Sequence, residues 1–266
     1  MIVTLLSDYG SDDEFVGVCH GVIRRISPEA QLIDITHGIP RHDVRHGALV
    51  LRNALPYMPA GVHMAVVDPQ VGTERRALAV RCADGRTLVG PDNGLLSLAW
   101  EASGGPLEAV DVSRSPLRLE PVSASFHGRD IFAPVAAHLA GGAELRDAGE
   151  GVALEELTTI ELPRPRVEDG ALVAHALIVD GYGNVGLNVR HEDLAGTGLA
   201  LGQRLDIEAG GVCFPATFAA TFADVAPGEV LVYEDAYRVL AVAVNRGDAA
   251  VTLEIAPDDE VVLRPQ

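Results

Sequence analysis

The chain contains no lysine: all 20 basic residues are arginine, set against 38 acidic ones, for a formal charge of −18 over 266 residues. That absence excludes a Schiff-base lysine, a lysine-dependent phosphate loop and a lysine-rich nucleic-acid patch. A strongly acidic domain repels polyphosphates and anionic membranes and tolerates small cationic ligands best. Base composition or a saline habitat would produce the same acid excess. Cysteine is scarce too: Cys19, Cys82 and Cys213 lie far apart without CxxC spacing, which excludes a disulfide framework and a thiolate metal site. No apolar run approaches the roughly 18 residues of a membrane span. The first eight residues lack the basic start of a signal peptide. The expectation is a soluble, cytoplasmic protein that binds neither nucleic acid nor membrane.

What is present suits a folded chain, since 48% of it is hydrophobic and 22% charged, with length for one large domain or two moderate ones. Over residues 1–160, short apolar runs alternate with amphipathic stretches of helical length. Residues 2–6 read as a buried strand, and 32–35 and 62–67 as the next two strands. One helix is expected from a cap at Asp12 or Asp13 to about Ile26, and a second after Pro40 and Asp43. This alternation predicts an α/β domain, a mostly parallel sheet with helices on both faces. In such sheets functional groups gather beyond the carboxyl ends of strands, where Asp8 and Asp68 fall. Residues 161–170, rich in Pro and Arg, read as a linker. In residues 171–266, runs at 172–179, 230–233, 239–244 and 251–255 are strand-length, turn-separated and without convincing helices, predicting a smaller all-β, barrel-like domain.

Individual motifs leave alternatives open. His37, His42, His46 and His63 invite a metal reading, but none has a ligand spacing such as HExxH, so no metal site is expected. Arg75 can fold back on Asp68 as in a hairpin, or the two can form an ordinary turn salt bridge. His127 lies in a loop feeding a helix over 131–139, with Asp130 as its cap, and could be incidental there. Asp180-Gly181-Tyr182-Gly183-Asn184 follows a long strand and reads equally as a tight turn.

Together, in order, the motifs are specific. Ser7-Asp8-Tyr9-Gly10, Asp34-Ile35-Thr36-His37, Val67-Asp68-Pro69 with Arg75, Gly90-Pro91-Asp92-Asn93-Gly94, Phe126-His127-Gly128-Arg129-Asp130, Asp180–Asn184 and Ala243-Val244-Asn245 span both expected domains. The sequence resembles the S-adenosyl-L-methionine (SAM) hydroxide adenosyltransferases, or SAM hydrolases, relatives of the fluorinases and chlorinases. The resemblance implies a homotrimer whose site lies between the N-terminal domain of one subunit and the C-terminal domain of its neighbour. It implies attack of water or hydroxide on ribose C5′, releasing adenosine and L-methionine, with no metal or organic cofactor. The hydrolase trio falls on Asp68, Arg75 and His127, with Arg75 and His127 holding the water and Asp68 orienting them. Asp8 matches the ribose-binding position, Asp13 a second acidic contact, Asp180 and Asn184 the methionine and adenine ends, and Phe222 an adenine-packing aromatic. Asn245 and Arg246 lie where backbone groups would read the adenine edge.

The sequence departs from the fluorinases in three places. Gly186 replaces a bulky aromatic, leaving stacking to Tyr182; Ala236-Tyr237 replaces a small-polar segment at the amino-acid end; Gly128 replaces a halide-binding serine. The last change favours water. A halide-using adenosyltransferase and a non-catalytic SAM or nucleoside binder are the competing readings.

Overall fold

The computed structural model describes residues 1–195 and 197–266. The chain divides into two compact units, Met1–Ile160 and Glu161–Gln266. In the first, the strands are β1 (Ile2–Ser7), β2 (Gln31–Thr36), β3 (Val62–Val66), β4 (Ala77–Cys82), β5 (Thr87–Pro91), β6 (Pro106–Asp111) and β7 (Glu150–Gly151). They form one sheet in the order β2-β1-β3-β5-β4-β6-β7. Neighbours from β2 through β5 are parallel, and β4, β6 and β7 join antiparallel. The helices are α1 (Phe15–Ile26), α2 (Val44–Ala54), α3 (Ser97–Ala102), α4 (Ala133–Ala140) and α5 (Leu145–Ala148). Val3 and Leu5 of β1 pack into one core with Ile23 and Val135, while Leu6 joins a second core with Leu51 and Ala99. Alternate residues of the strand thus serve opposite faces, α1 and α4 covering one and α2 and α3 the other.

Asp43 caps α2 as expected, its Oδ1 accepting the His46 N–H at 2.9 Å. Neither Asp12 nor Asp13 caps α1, which starts later, after Glu14, without a side-chain cap. Asp130 caps nothing: it lies within a wide helical turn, Gly128–Phe132, that runs into α4. Its buried carboxylate accepts the Ser123 N–H at 2.9 Å and the Arg129 guanidinium, tying down the loop before the helix. Arg75 folds back on Asp68, but not through a β3–β4 hairpin, because β5 lies between those strands.

The second unit comprises β8 (Arg166–Glu168), β9 (Ala171–Val179), β10 (Val185–Arg190), β11 (Arg204–Ala209), β12 (Val212–Phe218), β13 (Val230–Glu234), β14 (Val239–Val244) and β15 (Glu260–Pro265). The order β10-β14-β13-β12-β11-β15-β9 closes through a β9–β10 pairing, giving a seven-stranded barrel with β8 added outside β9. Leu187, Leu205, Val232, Val242 and Leu263 fill its interior. Part of the stretch expected as a linker is therefore strand β8, which pairs with β9. The run 251–255 is not a strand either. Asp248 accepts the Val251 N–H at 2.9 Å and the Gly183 carbonyl accepts two further amides, so a short helix α6 (Ala249–Leu253) forms. Among the described residues, no helix is long and apolar enough to cross a membrane.

One buried group gives the first unit an acid-sensitive core. His63 is fully buried on β3, its Nδ1 2.9 Å from Thr4 Oγ1, and burial together with nearby Arg86 lowers its pKa to about 4, against an opposing pull from Asp84. The unfolded chain takes up this proton near pH 6.5, so stability is intact above that value and falls as pH drops toward 4. The shift corresponds to about 3 kcal/mol. Urea unfolding at pH 7 and pH 4 should show the protein losing about that much more stability than His63→Gln. Equal losses in both would exclude His63 as the cause.

Candidate active site

β1 and β3 are adjacent and parallel, so Asp8 and Asp68 emerge together at the carboxyl edge of the sheet. Both line a cleft of about 350 Å³ with Tyr9, Asp13, Phe15, His42 and His127. The His42 N–H donates to Asp8 Oδ2 at 2.9 Å, fixing that carboxylate at the rim. The end of β3 is held by Asn93, whose Nδ2 donates to the Val67 carbonyl at 2.9 Å. Tyr9, Phe15 and Phe126 form an aromatic cluster with ring centroids 5.2–5.8 Å apart in edge or tilted contacts. Burial first, then nearby Cys19, Asp8 and Asp68, raise the pKa of Tyr9 well above its ordinary value against the opposing pull of Arg75, so its hydroxyl remains a donor.

Asp68, Arg75 and His127 meet although 52 residues separate the last two. Arg75 Nε lies 2.9 and 3.0 Å from the two Asp68 oxygens, and Nη2 also donates to Asp68. The same Nη2 is 2.9 Å from His127 Nδ1. The guanidinium sits 5.4 Å from the Phe132 ring centroid, and the Arg75 and Asp68 side chains are each only 5% exposed. A guanidinium has no acceptor, so His127 Nδ1 must accept and the ring proton must sit on Nε2. Burial, then the Arg75 charge, hold the His127 pKa below its usual value, against the opposing pull of Asp68 and Asp130. The imidazole is therefore neutral at pH 7. Asp68 and His127 face the cleft, whereas Arg75 opens onto a second cavity of about 690 Å³ that His127 also lines. Arg75 is thus a clamp between the other two.

The remaining expected site residues lie in the second unit. Asp180 folds its own loop: Oδ1 accepts the Tyr182 and Asn184 N–H groups, and Oδ2 accepts Asn184 Nδ2 at 2.8 Å. Tyr182 is 83% exposed at the tip. Phe222 pairs with Tyr233, centroids 5.0 Å apart. Asn245 spends its side chain on the Val225 carbonyl and its backbone N–H on Glu229, while Arg246 has left-handed backbone, φ 60°. Gly186 has no room for an aromatic, since a Cβ there would lie 2.8 Å from Ile178. The sequence reading missed Tyr9, Phe15 and Phe126; the clue was their position inside or beside the motifs.

The first unit is of the α/β class that assembles a polar small-molecule site beyond the carboxyl ends of parallel strands. Sequence models describe residues 3–149 as a SAM hydroxide adenosyltransferase N-terminal domain and 174–262 as the matching C-terminal domain. The chain belongs to the SAM hydroxide adenosyltransferase family. It is 48% identical to an (R)-S-adenosyl-L-methionine hydrolase of Salinispora tropica, covering 97% of this chain and 96% of that one. It is 30% identical to a fluorinase of Nocardia brasiliensis, covering 94% and 92%. The crystal structure of an uncharacterized conserved protein from Thermotoga maritima superposes with a TM-score of 0.91 at 36% identity, over 99% of this chain and 100% of that one.

Proposed function

We infer that this protein hydrolyses SAM to adenosine and L-methionine by attack of water on ribose C5′. The observation that carries the reading is the Asp68–Arg75–His127 constellation at the wall of a cleft lined by acidic side chains, in a chain whose relatives at 37–48% identity include SAM hydrolases. The sulfonium leaves as a neutral thioether, so no acid is needed; a poised nucleophile about 3 Å from carbon, in line with the C5′–S bond, is. In this mechanism His127 Nε2–H holds the water oxygen. The Arg75 charge, behind the ring, favours its hydroxide form. Asp68, which keeps lone pairs free after the Arg75 fork, receives the proton as the C5′–O bond forms. Asp8 binds the ribose hydroxyls and Asp13 adds an acidic contact near the sulfonium. The mechanism draws on no metal or organic cofactor.

Asp180, Tyr182, Asn184, Phe222, Asn245 and Arg246 complete the substrate site in this reading, supplied by the second unit of a neighbouring subunit in a homotrimer. Sedimentation should then give a trimer, and dilution to monomer should abolish activity. A cytoplasmic setting fits three unpaired cysteines.

Incubation with SAM in halide-free buffer should yield adenosine. Added chloride should leave the product unchanged; 5′-chloro-5′-deoxyadenosine would establish the halide reading instead. Because only neutral His127 can accept from Arg75, activity should fall with acid, and the lowered pKa places that fall below pH 6.5. A kcat/KM profile with its acid limb above 6.5 would contradict the neutral-imidazole assignment.

A further inference from the structure

The motif Asp34-Ile35-Thr36-His37 has no part in the chemistry above, yet it builds a cluster of its own. His20 projects from α1 and Asp34 from β2, with His37 just beyond that strand. His20 Nε2 is 2.8 Å and His37 Nε2 3.1 Å from the same oxygen, Asp34 Oδ1. Among the described residues these three offer ligand atoms that all lie within 4.8 Å of one another. None of them lines the cleft of Asp68 and His127.

The His20–Asp34 contact is a hydrogen bond, but hydrogen bonding does not account for the position of His37. His37 Nε2 is buried and makes no hydrogen bond of acceptable geometry, despite its closeness to Asp34. Its other nitrogen, Nδ1, lies 2.7 Å from Ser7 Oγ, which also accepts the Tyr9 N–H at 3.2 Å. If His37 donates from Nδ1, its Nε2 carries a lone pair aimed at the cluster, the orientation that second-sphere partners impose on metal-bound imidazoles. Ligand atoms around a tetrahedral zinc sit about 3.4 Å apart, so the contacts of His20 and His37 to Asp34 Oδ1, at 2.8 and 3.1 Å, would open by about 0.6 and 0.3 Å.

We propose that His20, Asp34 and His37 form a divalent transition-metal site of the zinc class, separate from the reaction centre and linked through Ser7 to the loop that presents Asp8. Two imidazoles and one carboxylate suit Zn²⁺, Co²⁺ or Ni²⁺ rather than Mg²⁺ or Ca²⁺, and the partly exposed Asp34 leaves positions for water. Ser7 and Tyr9 flank Asp8, so an ion holding His37 also stiffens the ribose-binding turn.

The test is calorimetric titration of the full-length protein with Zn²⁺, backed by the visible spectrum of the Co²⁺ form. The protein should bind one ion. His20→Ala and Asp34→Asn, checked for folding by circular dichroism, should each lose at least about tenfold in affinity and change the Co²⁺ spectrum. Ser7→Ala should weaken Zn²⁺ binding about 10–100-fold. Absence of binding, or unchanged affinity in both His20→Ala and Asp34→Asn, overturns the site. Unchanged affinity in Ser7→Ala overturns its link to the Asp8 loop.

Discussion

Asp68→Asn should lower kcat for adenosine release by about 10²–10³ while leaving the Kd for SAM within a few-fold of its original value. Asparagine keeps the shape but removes the charge that fixes the Arg75 fork and the lone pairs proposed to receive the proton. With the fork loosened, Arg75 no longer holds His127 Nδ1, and the ring is free to take the wrong tautomer. His127→Ala removes the proposed donor to the water and should cost a similar factor. The three residues act as one unit, so the double variant should be little worse than either single one. Arg75→Lys should fail as well, because an ammonium cannot span two Asp68 oxygens and an imidazole as the guanidinium does. Asparagine is preferred to alanine at position 68, since stripping the partner from a buried arginine costs about 3–5 kcal/mol of stability. Steady-state adenosine release and calorimetric SAM binding separate the effects. Undiminished turnover in Asp68→Asn or His127→Ala would refute the assignment.

Gly128→Ser should abolish most activity rather than convert the enzyme to halide use. Its Cβ would lie 2.1 Å from Tyr9 Oη and 3.0 Å from the ring carbon bearing it. Tyr9 cannot swing aside freely, being packed against Phe15 and Phe126 on the cleft wall. The clash therefore moves either the aromatic cluster or the turn that carries His127, and a displacement of about 1 Å at the reacting centre costs roughly a hundredfold. Tyr9→Phe combined with Gly128→Ser removes the closest contact and should restore part of the loss. A Gly128→Ser variant of ordinary hydrolytic rate, or one whose loss Tyr9→Phe leaves untouched, would show that the contact is not what keeps glycine there.

How much was legible in the sequence depended on how local each signal is. Apolar runs and helical patterns placed β1, β3 and the first two helices, because their apolar residues are buried on defined faces; β2, also expected, has no fully buried residue. The closing β9–β10 pairing of the barrel has no local signature, and strand β8 was hidden in a stretch whose prolines suggested a linker. Asp130 resembled a cap because it precedes an apolar helix, but only the folded chain reveals that its carboxylate serves Ser123 and Arg129. For the site, Asp68 and Arg75 are seven positions apart and their contact could be anticipated. His127 joined them through the family resemblance; its tautomer and the position of Arg75 behind the cleft became clear from geometry alone. In a chain without lysine the clamp is a guanidinium, whose planar fork reaches both Asp68 oxygens and His127 Nδ1.

Delivery of solvent oxygen to ribose C5′ is tested directly by turnover in oxygen-18 water. Adenosine should carry one solvent oxygen at its 5′ position and methionine none, as read by mass spectrometry. Unlabelled adenosine, or label appearing in the methionine product, would contradict it.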